Sequence, residues 1–410
     1  MLFLSFFRVP KIYWFKGILF LKYCKRLLMR LIILLLVCLS FLHLKAQDIS
    51  FGKQMVDTLT SPYFWGRGYT NDGMEKAAAY IAAEFNRYGI KPMAGKSFFQ
   101  EFSYPVNIFP GRMELSINGK NLVPGKDFIV DPAAKGIRES GSLIRKDSIS
   151  YINPEDRFIV ILEEKLTWSV SQDVADYSMV RIDKKSISGI PENYQANIEN
   201  KFIRKFDASN VCGLVTGKRK PDSVILITAH YDHLGGMGKD TYFPGANDNA
   251  SGVSLLMNLA RYYAANQPDY SIGFICFAGE EAGLVGSKYF TDKPLLPLKN
   301  IRFLVNTDLA GTGEEGITVV NATEYPSEFA LMNAVNDEYK LLLKINARGK
   351  AANSDHYFFS EKGVPAFFFY TLGGIKAYHD IFDRPETLPL HEHEDLFKLL
   401  VHFNRKLMGD

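Results

Sequence analysis

The sequence predicts an α/β protein in which helices flank a mixed, largely parallel sheet that carries a β-rich insertion. Two observations predict this fold. After residue 206, runs made almost entirely of apolar residues, such as SVILITAH, SIGFICFA and IRFLVNT, alternate with helical segments. Strands that are apolar on both faces are typical of parallel sheets covered by helices. Before that point, short strand-like runs are separated by the turn signals NG, PG and NP, which indicate a β-rich region.

The first 46 residues form a leader of distinct composition. They contain eight basic residues and no acidic one, and the apolar stretch LIILLLVCLSFLHL follows Met29 and Arg30. This pattern, with the small residue Ala46 near its end, is typical of a secretory signal, and the apolar run is shorter than the ~20 residues of a membrane helix. We therefore expect translation to begin at Met1 or Met29 and the mature protein to be exported, periplasmic or extracellular. An uncleaved leader that anchors the protein to the membrane is the alternative.

The rest of the chain is slightly acidic and contains few cysteines. Outside the leader, 40 basic residues stand against 45 acidic ones, and no basic patch indicates binding of nucleic acid. Cys212 and Cys276 each lie within an apolar run, which predicts buried thiols that pack as small apolar side chains. A disulfide between them is the alternative in an oxidising compartment.

We divide the chain after the leader into three parts. Residues 47–105 form the N-terminal part of the α/β domain, with a helix over 73–90 that is preceded by the capping residues TND. Residues 106–205 form the β-rich insertion, and residues 206–410 form the main α/β domain. In this last part the sequence predicts strands at SVILITAH, SIGFICFAGE, IRFLVNTD and VPAFFFYTL, and helices at SGVSLLMNLARYYAAN, SEFALMNAVNDEY and EDLFKLLVHFNRKLM.

Side chains able to bind a metal follow the ends of the predicted strands. In open α/β sheets, ligands bind beyond the carboxyl ends of the strands. A set of imidazoles and carboxylates without thiolates suits zinc or a similar divalent ion. Each residue alone could cap a turn or a helix, but together they predict a metal site. The set comprises His230, Asp248, Glu280, Glu281, Asp308 and His379.

The spacing within two of these motifs suggests further roles. In AHYDH, His230 and Asp232 are two residues apart, so in an extended chain they share a face. Asp232 is then expected to accept a hydrogen bond from the imidazole nitrogen that does not bind metal, whereas His233 is expected to point away and not to be a ligand. Asp248 is surrounded by small residues in GANDNASG, and a central carboxylate of this kind can bridge two cations ~3.5–4 Å apart.

A series of motifs resembles peptidase family M28, a family of zinc peptidases whose characterised members are largely aminopeptidases. The motifs occur in the family's order and cover roughly residues 55–100 and 206–410. The resemblance implies a zinc-peptidase fold of the phosphorylase/hydrolase-like type. It also implies that the β-rich insertion stands where many members carry a protease-associated domain. The motifs are AHYDH, NDNASG, GEE, NTDLAG, SDHYFFSEKGVPA and YHDIFDRPET.

The resemblance further implies two divalent metal ions, with zinc as the expected ion. One ion would be held by His230 and Asp308, the other by Glu281 and His379, and Asp248 would bridge both. The adjacent glutamates would thus have different roles, which explains why two carboxylates follow a buried strand.

The remaining roles implied by the resemblance concern proton transfer and substrate. Glu280 would be the general base, which takes a proton from the attacking water and passes it to the leaving amine. Tyr378 would support the developing oxyanion, with a packed aromatic as the alternative. Residues 354–356 (SDH) are expected to be structural.

These features predict an exported zinc-dependent aminopeptidase that acts on peptides. A free amino end is expected at the site because four carboxylates balance two divalent cations, and because only Lys376 and Arg384 in the motifs could hold a terminal carboxylate. The alternatives are a glutaminyl-cyclase-like acyltransferase with one zinc, a carboxypeptidase on the same fold, and an ectodomain that binds without metal.

Overall fold

The computed structural model describes residues 49–409, and the predicted leader, residues 1–46, lies outside them. Within the described residues, no helix is long and apolar enough to cross a membrane. The helices of this part are α1 (Ile49–Leu59), α2 (Gly73–Arg87), α3 (Gly252–Ala265), α4 (Val285–Asp292), α5 (Pro326–Tyr339), α6 (His356–Glu361) and α7 (His393–Met408).

The strands cluster in two parts of the chain, the region 91–242 and the region 270–371. In chain order they are β1 (Lys91–Pro92), β2 (Phe99–Ile108), β3 (Met113–Ile117), β4 (Lys120–Leu122), β5 (Phe128–Val130), β6 (Ile137–Ser142), β7 (Ile144–Arg145), β8 (Ser150–Asn153), β9 (Phe158–Glu163), β10 (Ser178–Asp183), β11 (Asn193–Ile198), β12 (Lys201–Val215), β13 (Lys220–His230), β14 (Gly236–Met237), β15 (Thr241–Tyr242), β16 (Tyr270–Phe277), β17 (Ile301–Thr307), β18 (Ile317–Val320), β19 (Ile345–Ala347) and β20 (Ala366–Thr371).

The main sheet combines a parallel centre with antiparallel flanks. Its strand order is β1-β12-β16-β13-β17-β20-β18-β19, and β2 also pairs with β12. The central strands β16, β13, β17 and β20 run parallel, whereas β12 and β18 add to them antiparallel. The predicted α/β fold with a mixed, largely parallel sheet is therefore confirmed.

Both faces of the sheet are covered, which explains the continuous apolar runs. Along β13, Ile225 and Ile227 belong to a large core with residues from α1, α2, α3, α5 and α7. The alternate residues Val224 and Leu226 belong to a smaller core with residues from α4 and α6. Because successive side chains of a strand point to opposite faces, a strand buried on both sides is apolar at every position.

The β-rich insertion forms sheets of its own. Five strands pair in the order β5-β10-β9-β8-β7 and four in the order β4-β3-β11-β6. Their shared core also takes in Leu234, Met237 and Phe243, which follow β13 in the α/β domain. The strands that enter and leave the insertion, β2 and β12, pair with each other from Phe99 opposite Val211 to Ile108 opposite Lys201. The expected boundaries at residues 106 and 205 thus fall inside two strands that continue into the main sheet.

Two local expectations can be compared directly with the structure. Cys212 and Cys276 are both free and buried. They lie on adjacent strands but out of register, because Cys212 faces Ile275. At the start of α2, Asp72 occupies the capping position with a left-handed backbone (φ 56°), and its side chain makes no capping hydrogen bond. The residues TND therefore mark the helix start without the side-chain cap that the sequence suggested.

Candidate metal centre

The carboxyl ends of three neighbouring parallel strands meet at the candidate site. β13 ends at His230, β16 ends at Phe277 shortly before Glu280, and β17 ends at Thr307 directly before Asp308. His230 lies opposite Phe277 in the parallel register. Because parallel strands end at one edge of the sheet, segments that are distant in sequence deliver their side chains to the same place.

Asp248 lies between the two imidazoles that the sequence singled out. Its Oδ1 is 3.4 Å from Nε2 of His230, and its Oδ2 is 3.0 Å from Nε2 of His379. His230 Nε2 also lies 3.3 Å from Oδ1 of Asp308, and His379 Nε2 lies 3.1 Å from Oε2 of Glu281. The structure thus brings all five expected ligands together, with one carboxylate between two imidazole–carboxylate pairs.

A buried arginine holds the backbone around Asp248. Arg67 is 0% exposed. Its guanidinium donates to the carbonyl oxygens of Pro244 and Gly245, each at 2.7 Å, and to that of Asp248 at 3.2 Å. Sequence reasoning gave Arg67 no role, although it lies within residues 55–100, which the family resemblance covers. The contact across 181 positions of the chain has no local sequence signal.

The same loop is held from the other side by Asp383. Its carboxylate oxygens accept the backbone N–H groups of Asn247 and Asp248 at 2.8 and 3.0 Å. Gly245, with φ +61°, has no room for a side chain, since a Cβ would lie 2.2 Å from the carbonyl oxygen of Asp248. Asp383 was visible only as part of the motif YHDIFDRPET, and its function as a backbone clamp emerges from the structure.

Asp232 supports the site differently from the way the sequence suggested. The Nδ1 atom of His230 lies 3.1 Å from the backbone carbonyl oxygen of Asp232, whereas the carboxylate is 3.8 Å away. That carboxylate accepts the backbone N–H groups of Glu280 and Glu281, at 3.2 and 3.4 Å. The expected carboxylate–imidazole hydrogen bond is therefore replaced by a carbonyl contact, because the strand ends at His230 and its alternation of side chains does not continue to Asp232.

His233 points into the site, so the expectation that it faces away is wrong. It is fully buried, and its Nδ1 lies 2.7 Å from Oε1 of Glu281 and 3.9 Å from Oδ1 of Asp248. The expectation assumed that strand alternation continues past His230, but β13 ends there. His233 thus gives Glu281 a second imidazole neighbour beside His379.

His379 is held by the β-rich insertion. Its Nδ1 lies 2.8 Å from the backbone carbonyl oxygen of Trp168, and the backbone N–H of Trp168 donates to the carbonyl oxygen of His379 at 2.9 Å. The ring of Tyr378 stacks on the His379 ring, with centroids 4.0 Å apart. No sequence signal pointed to Trp168, because a backbone contact between distant segments does not depend on the type of side chain.

The adjacent glutamates experience different environments. Burial raises the pKa of Glu280 well above its usual value, and the charge of His230 only partly opposes this. Burial also disfavours ionisation of Glu281, but the neighbouring His379 and His233 outweigh it and hold the pKa of that carboxyl well below its usual value. Two carboxyl groups with opposite shifts are typical of groups with different chemical roles.

The residues present fit divalent cations. Each of two groups, His230 with Glu280 and Asp308, and His233 with Asp248 and Glu281, offers ligand atoms that lie within 4.8 Å of one another. Burial opposes a charge on His379, yet the Glu281 and Asp248 carboxylates raise its pKa to about 11. In the absence of a metal cation, a proton on His379 therefore balances part of the charge of these buried carboxylates.

Two buried polar atoms without hydrogen-bond partners also fit a bound cation. Oδ1 of Asp308 and Nε2 of His233 are buried and have no hydrogen-bond partner among residues 49–409. The 3.3 Å contact between Asp308 and His230 lacks the geometry of a hydrogen bond. A buried polar atom without a partner is costly, and coordination to a cation would remove that cost.

A cavity of about 230 Å³ opens beside these residues. Tyr378 borders it and is 43% exposed. Its support of a developing oxyanion stays a prediction. The other lining residues outside the ligand set include Leu309, Arg348, Asn353, Phe368 and Tyr370.

The SDH segment packs behind the site. Ser354 Oγ accepts from Asn306 Nδ2 at 2.8 Å and donates to Oδ2 of Asp308 at 3.3 Å. Asp355 is buried, and burial raises its pKa to about 7. Burial lowers the pKa of His356 to about 4, so this ring is neutral near pH 7 beside Phe368. These contacts orient Asp308 from behind, which fits the structural role expected for the segment.

Comparisons with known proteins show which family this region is similar to. Residues 210–403 match the model of peptidase family M28. It is 28% identical over 255 residues to aminopeptidase YwaD of Bacillus subtilis strain 168, covering 58% of this chain and 54% of that protein. It is 39% identical over 127 residues to a probable zinc metalloprotease of Pyricularia oryzae, covering 30% of this chain and 25% of that protein. The chain thus spans about half of the first relative and a quarter of the second.

The fold extends beyond the family match. The structure of an aminopeptidase from Aneurinibacillus sp. strain AM-1 superposes with a TM-score of 0.63 at 18% identity, covering 88% of this chain and 94% of that one. Because this superposition covers most of both chains, it includes parts outside residues 210–403. It confirms the predicted architecture.

Proposed function

We propose that this protein is an exported, zinc-dependent aminopeptidase that removes residues one at a time from the N-terminus of peptides. The observation that carries the proposal is the position of Asp248. Its two carboxylate oxygens face His230 and His379 separately, and each imidazole has a further carboxylate beside it. This arrangement is what two neighbouring divalent ions require.

These contacts support the proposed assignment of ligands. His230 and Asp308 would hold one zinc ion, Glu281 and His379 the other, and Asp248 would be shared. When bound, the ions would lower the pKa of a coordinated water and polarise the scissile carbonyl. His233, which contacts Glu281, would keep that carboxylate oriented.

Glu280 is proposed as the general base. It is buried, lies in a group with His230 and Asp308, and contributes to the cavity wall. It would take a proton from the attacking water and pass it to the leaving amine. The Tyr378 hydroxyl, at the border of the same cavity, would donate a hydrogen bond to the developing oxyanion.

The proposed preference for an N-terminal residue rests on charge. Asp248, Glu280, Glu281 and Asp308 gather at one end of the site, so an α-ammonium group is well tolerated there. The proposed export rests on the leader, whose composition is typical of a secretory signal.

The test uses a six-residue peptide in three forms, free, N-acetylated and C-terminally amidated, followed by mass spectrometry. We expect stepwise shortening of the free and amidated forms and no turnover of the acetylated form. Cleavage of the acetylated form from its other end would identify a carboxypeptidase and contradict the proposal. Conversion of an N-terminal Gln to pyroglutamate without shortening would identify a cyclase.

Metal content provides a second arm of the same test. Protein stripped with a chelator and titrated with zinc should bind two equivalents. A plateau at one equivalent would contradict the two-ion site and would favour the one-zinc cyclase alternative.

A further inference from the structure

Arg348 lies in the wall of the cavity beside the candidate metal centre. It follows the edge strand β19. Its backbone N–H donates to the carbonyl oxygen of Val319 at 2.9 Å, and its own carbonyl oxygen accepts from Ala322 at 3.0 Å. Its Nη1 donates to the hydroxyl of Tyr370 at 3.3 Å. Among residues 49–409, no acidic side chain forms an ion pair with Arg348, so its guanidinium can receive an anion.

Side chains of both charge signs therefore line one cavity. Asp248, Glu280 and Asp308 are among its lining residues, and so are Arg348 and Phe368. An arginine side chain presents a planar fork that matches a carboxylate with two parallel hydrogen bonds. The volume of about 230 Å³ is below the ~300–1,000 Å³ of sites for drug-sized ligands, which suits a single amino-acid residue.

We propose that Arg348 makes the enzyme selective for substrates that place a carboxylate in this cavity. The inference rests on the proposed aminopeptidase function. The carboxylate has two possible sources, the side chain of an N-terminal Glu or Asp, or the free carboxyl end of a dipeptide. In both cases the α-ammonium group faces the carboxylates that line the cavity, and the substrate carboxylate faces Arg348.

The experiment compares two substrate pairs that differ only in this charge. The first pair is the p-nitroanilides of Glu and Gln, and the second is a Leu-Ala dipeptide and its C-terminal amide. The variant Arg348→Gln removes the charge and keeps a similar length. Arg302→Gln is the matched control, because Arg302 is exposed at the start of β17, at the opposite end of that strand from Asp308.

We expect kcat/KM to favour the charged member of one pair by at least about 10-fold. Arg348→Gln should abolish this ratio, and Arg302→Gln should keep it. Preference in the first pair assigns the carboxylate to a side chain, and preference in the second assigns it to the chain end. If Arg348→Gln leaves both ratios unchanged while the substrates are still cleaved, the role of Arg348 is refuted and the aminopeptidase survives. If the unaltered enzyme cleaves none of them, both proposals fail.

A second, independent observation concerns the insertion. Residues 165–172, here called the bracing segment, contact both loops that carry the candidate ligands of the second zinc site. Trp168 exchanges two hydrogen bonds with His379. Nζ of Lys165 donates to the carbonyl oxygen of Lys376 at 2.8 Å. Nε2 of Gln172 donates to the carbonyl oxygen of Ala282, directly after Glu281, at 2.7 Å.

The bracing segment is itself anchored in the core of the insertion. The Trp168 side chain is 5% exposed. Its Nε1 donates to the carbonyl oxygen of Val130 at 2.8 Å, and its ring stacks on Phe243 with centroids 4.7 Å apart. A carbonyl oxygen fixed in this way keeps the Nδ1–H tautomer of His379, which leaves Nε2 free as a ligand atom.

We infer that the bracing segment positions Glu281 and His379, so that the insertion tunes the affinity of one zinc site and not of the other. No comparable contact from the insertion to His230 or Asp308 occurs among the described residues. The inference rests on the two-zinc site of the proposed function. It concerns positioning only, since the segment's own side chains do not touch the ligand atoms.

The test measures both zinc affinities by competition with a chromophoric chelator. The double variant Lys165→Ala with Gln172→Ala removes the two side-chain contacts, and the single variant Gln172→Ala serves if the double variant does not fold. The control is Arg112→Ala, which removes an exposed insertion ion pair with Glu199; neither residue adjoins the bracing segment in sequence.

We expect one of the two zinc affinities to fall by about 10-fold, with the other unchanged and the control like the unaltered protein. Equal weakening of both sites would indicate general loosening and would refute the inference, as would two unchanged affinities. A single zinc equivalent in the unaltered protein would instead overturn the two-ion site on which it rests.

Discussion

His230 and His379 both lie beside Asp248, but the chain brings them there by different routes. His230 ends a central strand and its side chain is 1% exposed, whereas His379 lies in a loop with its side chain 13% exposed. The backbone of His379 is left-handed, with φ 53°, a conformation that non-glycine residues adopt only where the surroundings fix it. Here those surroundings are the loop's own turns and the backbone of Trp168.

The comparison shows that the candidate centre has two halves of different origin. The sheet half, His230 and Asp308, follows from where parallel strands end. The loop half consists of Glu281 and His379. The position of Glu281 depends on its contact with His233 and on the Asp232 carboxylate that accepts its backbone N–H. Contacts from the insertion hold the segments around both residues. A perturbation of the insertion should therefore reach the loop half first.

The largest effect is expected from substitution of the two adjacent glutamates. Glu280 lies near the sheet half, and Glu281 belongs to the loop half. Glu280→Gln should lower kcat by about 10²- to 10⁴-fold while both zinc ions stay bound, because it removes a base and no ligand. Glu281→Gln should lose zinc from the loop half as well as activity. Elemental analysis beside single-turnover kinetics checks this pair, and identical behaviour of the two variants would show that the division of roles is wrong.

A smaller effect concerns the stability of the metal-free protein. The folded-state pKa of His379 is raised to about 11, above the ~6.5 of an unfolded histidine. This stabilising contribution is therefore complete below pH 6.5 and is lost as pH rises toward 11. The raised pKa values of Asp232, about 7, and Glu280 act in the same direction.

Urea unfolding of the chelated protein between pH 6.5 and 9 measures this loss. We expect the free energy of unfolding to fall with pH, by up to ~1.4 kcal/mol per pH unit for each extra proton held by the folded state. The zinc-loaded protein should show a shallower slope, and metal-free His379→Gln should too. A flat profile for the chelated protein would show that the loop half does not hold its histidine protonated.

The sequence alone was sufficient to predict the sheet and to single out side chains that gather at its edge. SVILITAH and IRFLVNT are apolar at every position because both faces of the sheet are covered, and that local pattern indicates where each strand ends. Polar residues at strand ends can then be expected at one edge, since parallel strands finish together. The proximity of His230, Asp308 and Glu280 could therefore be predicted without knowledge of the tertiary structure.

Only the tertiary structure decided the orientation of these residues and what supports them. His233 faces the site because the strand stops at His230, which periodicity could not reveal. Arg67 and Trp168 make contacts across long separations in sequence through backbone carbonyl oxygens, which every residue type possesses. Arg348 contacts Tyr370 from a different strand segment. Periodicity indicates which face of a helix or strand is buried. The residues that contact that face are determined by packing between distant segments, and no local pattern in a single sequence indicates which residues these are.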